Sequence, residues 1–72
     1  MDWEHFRKSV MDLAGKAPSG WRKGQAVFNA VDDLYGVART VQFVDGVDCF
    51  YDDSKIDSFL SCAWQRYSYR EE

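Results

Sequence analysis

Apolar residues recur at helical spacing along most of the chain. Trp3, Phe6, Val10 and Leu13 lie three and four residues apart, so they share one face of a helix over residues 2–15. Arg7, Lys8 and Asp12 fall outside that face, towards water. Asp2 is placed to cap the N-terminus by accepting from free backbone N–H groups, and Gly15-Lys16 suits a C-terminal stop. Ala17-Pro18-Ser19-Gly20 reads as a turn. A second helix starts between Trp21 and Gly24, with Val27, Phe28, Val31, Leu34, Tyr35 and Ala38 as its apolar stripe and Asp32 and Asp33 off it. Gly36 breaks or bends that helix.

The stretch 39–51 admits two readings. Thr40–Val44 and Val47–Tyr51 flank Asp45-Gly46, and Asp-Gly is a favoured hairpin turn because both positions tolerate positive φ. The other reading is a short helix ending near Phe43, followed by an irregular loop. A two-stranded hairpin is marginal alone, so it would have to pack on the helices. The last helix is plainer. Ile56, Phe59, Leu60, Ala63, Trp64 and Tyr67 follow helical spacing without a miss, and Ser54 with Asp57 has capping-box spacing. Arg66 and Arg70 sit where they complement the helix dipole. The pattern therefore predicts one mainly α domain over residues 1–72, with three to four helices. An α+β form with one hairpin at 39–51 is the alternative.

Composition adds the means of stabilising so short a chain. Its 72 residues include three Trp, four Tyr and five Phe. A chain of this length buries only about 60% of its unfolded surface, and large aromatics concentrate apolar burial in few residues. Charge is unevenly spread around the net value of −3. Residues 1–24 carry +2, residues 25–57 carry −5, and residues 58–72 balance. All seven acids of the middle segment are aspartates: Asp32, Asp33, Asp45, Asp48, Asp52, Asp53 and Asp57.

Those aspartates fit turns, helix caps and a solvated acidic face better than a metal site. Their spacing lacks the alternating ligands and closing Glu of a calcium loop. Cys49 and Cys62, 13 residues apart, fit neither a zinc site nor a disulfide framework, and read as reduced, largely buried thiols. His5 is the sole histidine and lacks a nucleophile partner. No glycine-rich phosphate loop, G-x-S-x-G, H-E-x-x-H or paired C-x-x-C is present, which predicts a non-enzymatic protein with no cofactor and no metal. Trp21-Arg22-Lys23 and the 64–70 segment combine aromatic and basic residues, a weak pattern for phosphate or stacked bases. No secretory leader is read from Met1-Asp2-Trp3-Glu4, and no apolar run approaches a membrane span. A cytoplasmic protein with no membrane partner is expected.

Two ordered blocks resemble a group of small uncharacterised proteins of phages, prophages and bacteria. Residues 20–30, Gly-Trp-Arg-Lys-Gly-Gln-Ala-Val-Phe-Asn-Ala, resemble that group's W-R-x-G-Q-A-x-F-N-A-L stretch. Residues 48–56, Asp-Cys-Phe-Tyr-Asp-Asp-Ser-Lys-Ile, resemble its D-P-F-Y-D-D-S-R-I stretch. Cys49 stands where the group has Pro, and Asp57 often does too. In the group the second block follows a helix and a short loop, so the resemblance favours helix over hairpin at 39–51. It implies a phage or mobile-element source but no established activity. The blocks also have a structural reading. Phe28, Phe50 and Tyr51 are candidates to meet in the core, Arg22 could pair with Asp52 or Asp53, and Gln25 and Asn29 could bond the loop before the last helix.

The expected function is a protein-binding inhibitor or modulator of a host complex such as a CRISPR or other defence nuclease. Its acidic surface would comprise Asp32, Asp33, Asp45, Asp48, Asp52, Asp53 and Asp57, with Arg22 and Lys23 beside it. The alternatives are an accessory phage protein that self-associates as a homodimer, and a small nucleic-acid-binding module.

Overall fold

The computed structural model describes the backbone of residues 2–71 and the side chains of residues 2–69. Helix α1, Trp3–Ala14, begins where Asp2 accepts from the His5 N–H at 2.8 Å. Phe6 and Val10 are its buried residues. It packs on α2, Lys23–Tyr35, which buries Ala26, Val27, Phe28, Ala30 and Val31. Gly36 ends α2 in the left-handed conformation, φ 69°, its N–H bonding the Val31 and Asp32 carbonyls. A glycine takes that conformation without the Cβ penalty other residues meet. Leu34, expected on the stripe, is 44% exposed. In this last turn Tyr35 takes the inward place, stacking on Phe6 at 4.5 Å between centroids.

Residues 39–51 form no hairpin. Helix α3, Ala38–Thr40, runs directly into a π-helical turn, Val41–Asp45. Gly46, φ 70°, closes that turn by donating to the Val41 carbonyl. Asp45-Gly46 thus ends a helix instead of joining two strands. Both structures need a residue that accepts positive φ, so the dipeptide alone does not distinguish them.

An irregular loop then leads to a 3-10 turn, Asp53–Lys55, and helix α4, Ile56–Glu71. Asp52, not Ser54, is the cap: its Oδ1 accepts from the Ser54 N–H at 3.0 Å and the Ser54 hydroxyl at 2.6 Å. The inserted 3-10 turn moves the start of the helical region forward, so the Ser54/Asp57 spacing is not used as a capping box. Phe59, Leu60 and Ala63 of α4 are buried.

The core has two aromatic groups joined by aliphatics. Phe6 lies 4.5 Å from Tyr35 and 5.3 Å from Trp64. Phe28 lies 5.3 Å from Phe59 and 5.5 Å from Phe50. Val10, Val27, Val31, Val37, Val41 and Leu60 fill the space around and between them. Tyr51, expected inside, is 73% exposed. Its ring meets that of Phe50 edge-on, 4.8 Å between centroids. No helix among the described residues is long and apolar enough to cross a membrane.

Candidate docking surface

The two sequence blocks meet at the start of α2. The N-cap of that helix, Arg22, supplies no side-chain cap. The missing acceptor comes from 29 residues away, where Asp53 Oδ1 accepts from the Gly24 N–H at 2.9 Å. The Cys49 thiol donates to the Gly24 carbonyl at 3.3 Å, and Arg22 Nη1 donates to the Tyr51 carbonyl at 3.1 Å. Gly24 permits this approach because a Cβ there would lie 1.9 Å from the Cys49 carbonyl oxygen. The pairings expected from sequence take other forms. Arg22 bonds a carbonyl instead of Asp52 or Asp53, and the side chains of Gln25 and Asn29 make no hydrogen bond to this loop among the described residues.

Most of the aspartates are similarly engaged. Asp45 forms a two-pronged ion pair with Arg66: Nη2 to Oδ1 is 2.7 Å and Nε to Oδ2 is 3.1 Å. That guanidinium hydrogen bond holds the Asp45 carboxyl below the ordinary carboxylate range. Asp48 accepts from the Gln42 side-chain amide and the Phe50 N–H, both at 2.8 Å. The Asp52 carboxyl is lowered by the two hydrogen bonds from Ser54. Asp32, Asp33 and Asp57 make no ion pair among the described residues. Asp33 is exposed near the end of α2, nine residues from Gly24, or roughly 13 Å along the helix. Lys23 and Asp57 are exposed in the first turns of α2 and α4. The aspartates are therefore brought to several places, and four of them hold the chain's own loops and helix starts.

The thiols are poor nucleophiles. Burial first, then the neighbouring Asp48 charge, pushes the Cys49 thiol up to about 12. Cys62 is also raised, chiefly by desolvation. A nucleophilic cysteine needs the opposite shift. No cluster of three metal-ligating side chains occurs among the described residues.

Two concave regions flank the π turn. The larger, about 440 Å³, lies between α3 and α4 and is lined by Val37, Thr40, Cys62, Tyr69 and the Asp45–Arg66 pair. The smaller, about 290 Å³, is aromatic: Phe43, Phe50 and Tyr51 line it with Arg39 and Gln42, and Phe28 is at its base. Phe43 is 79% exposed and the adjacent Val44 67%. The π turn accounts for Val44, whereas Phe43, two residues beyond the buried Val41, lies off the inward face in any helical turn. The π turn holds more residues per revolution than an α turn, so Val44 swings away from the inward face of Val41 and Asp45 comes into reach of Arg66. Phe43 and Val44 are not among the surface residues expected from the sequence. The available signal was Phe43 itself, a large aromatic off the stripe that runs through Ala38 and Val41. No protein-family model, curated protein or solved structure matches the chain.

Proposed function

We propose that this chain is a non-enzymatic protein-binding module that docks through the aromatic groove of Phe43, Phe50 and Tyr51. The exposure of the Phe43 and Tyr51 rings carries this reading. Large exposed aromatics beside one another are costly in water and are the residues that anchor protein interfaces. In its narrower form the module inhibits or modulates a host nucleic-acid-handling complex, such as a CRISPR or other defence nuclease, in a bacterial cytoplasm. The resemblance in the two blocks and the −5 charge of residues 25–57 support that form. Asp32, Asp33 and Asp57, which make no ion pair among the described residues, are the carboxylates offered to a basic partner surface. Self-association through the same rings is the second reading, favoured by the same exposure.

The test is affinity capture from bacterial lysate with the tagged protein and its Phe43→Ser/Tyr51→Ser variant, bound proteins being identified by mass spectrometry. The expected result is one stoichiometric partner, held by the parent and lost by the variant. Equal capture by both overturns the groove as the docking surface. A triple Asp32→Asn/Asp33→Asn/Asp57→Asn variant tests the acidic contribution without touching any aspartate that the fold uses.

A further inference from the structure

We infer that the groove takes a short linear peptide segment in which one bulky apolar side chain is followed or preceded by carboxylates. This inference rests on the protein-binding reading and specifies the partner's chemistry. Three observations carry it: the groove's size, the area around it, and the charges at its edge.

The groove encloses about 290 Å³. Pockets for drug-sized molecules run from about 300 to 1,000 Å³, so this one fits a single large side chain better than a whole small ligand. The exposed apolar area around it is also limited. Aromatic side chains offer roughly 150–250 Å² each, so Phe43, Tyr51 and Val44 together present on the order of 400 Å². A stable protein–protein interface needs about 800 Å² on each side. The patch falls well short of a self-sufficient dimer interface and matches an anchor residue with its near neighbours.

The charges lining or touching the groove are guanidinium groups. Arg39 lines it, is exposed, and makes no ion pair among the described residues. Arg22, also exposed, holds the Tyr51 carbonyl and makes no ion pair among the described residues. No carboxylate lines the groove among the described residues. Asp48, two residues before Phe50, has each oxygen engaged by an internal donor, the Gln42 amide and the Phe50 N–H, and Asp52 Oδ1 accepts from Ser54. An incoming segment therefore meets two guanidinium groups that make no ion pair among the described residues, although the chain as a whole is acidic. Carboxylates flanking the anchor complement that arrangement.

The experiment titrates isotope-labelled protein, followed by amide NMR shifts, with three end-capped probe peptides. They are Asp-Glu-Trp-Leu-Glu-Asp, Ser-Gly-Trp-Leu-Gly-Ser and Lys-Arg-Trp-Leu-Arg-Lys. The acidic probe is expected to bind most tightly, moving the amides of Arg39, Gln42, Phe43, Phe50 and Tyr51, and to weaken with added salt. Arg39→Glu is expected to lower its affinity about tenfold and to improve that of the basic probe. Arg39 is exposed and unpaired, so this variant keeps the fold, which the unperturbed remainder of its spectrum verifies. Tighter binding of the basic probe, or indifference to Arg39→Glu, overturns the acidic chemistry and leaves a protein-binding groove standing. Shifts at these residues on concentrating the protein alone, or no probe-induced shift there, overturn the peptide inference. The lysate capture then decides the broader reading independently.

Discussion

Replacing Gly24 with alanine sets two effects of opposite sign against each other. Gly24 lies in the first turn of α2, and alanine in a helix is worth about 1 kcal/mol over glycine. Local propensity alone therefore expects a more stable protein. The packing expects the reverse. The added methyl would lie 1.9 Å from the Cys49 carbonyl oxygen and 2.9 Å from Asp53 Oδ1. The first of these is backbone, so relief requires the 47–53 loop to move off α2. Overpacking of this kind costs about 1–3 kcal/mol. Displacing the loop also removes the Asp53 bond to the Gly24 N–H, and a lost N-cap costs roughly 0.5–2 kcal/mol. Less the gain in propensity, the net loss is about 0.5–4 kcal/mol, centred a little above 2 kcal/mol. A chain of this length has roughly 4–11 kcal/mol in all. At 4–8 °C per kcal/mol, that central value corresponds to a fall in Tm on the order of 10–20 °C. Thermal and urea unfolding followed by far-UV circular dichroism measures it. Gly20→Ala serves as the control, since nothing lies within 4 Å of its added Cβ. A Gly24→Ala protein as stable as its parent, or more so, would refute the close approach of the two blocks.

Further outcomes follow from the same contacts. Phe43→Ser should change stability by less than about 0.5 kcal/mol, because the ring is 79% exposed, while abolishing partner capture. A large loss of stability would place Phe43 in the core instead. The carboxyl groups of Asp45 and Asp52 are held below their ordinary value in the folded chain, so their stabilisation is present at neutral pH. It is lost as the pH falls below about 4 through the folded-state value. Asp45→Asn should therefore flatten the drop in Tm between pH 5 and pH 3, and an unchanged drop would discount the Arg66 pair. The Cys49 thiol, buried and pushed up to about 12, should resist iodoacetamide at pH 7.5 until the chain unfolds. Rapid native-state labelling at Cys49, mapped by mass spectrometry, would contradict its placement.

Much of the fold was legible because helical periodicity is a local signal. The Phe6/Val10 and Phe59/Leu60/Ala63 faces are buried as their spacing predicts, and Asp2 caps α1. What was hidden depends on contacts between distant residues. Nothing adjacent to Arg22 indicates that the cap of α2 comes from Asp53. Asp45-Gly46 satisfies a helix stop and a hairpin turn equally, so only the packing of Val41 against the core selects between them. The site was the least legible part. The aspartates attract notice as charges, yet Asp45, Asp48, Asp52 and Asp53 are used within the fold. Phe43 lies off the stripe that runs through Ala38 and Val41, and the π turn adds Val44 to the exposed side.

The cap that Asp53 places on α2 also bears on how the chain acquires its structure. The first turn of α2 has its donor satisfied by a residue that is synthesised 29 positions later than Gly24. An N-terminal fragment ending before Phe50 holds α2 with an open first turn and with Phe28 lacking both Phe50 and Phe59. The helices of the first half therefore become secure together with the last one. Folding is expected as a single cooperative event once the residues of α4 are present, rather than as stepwise consolidation of the first half.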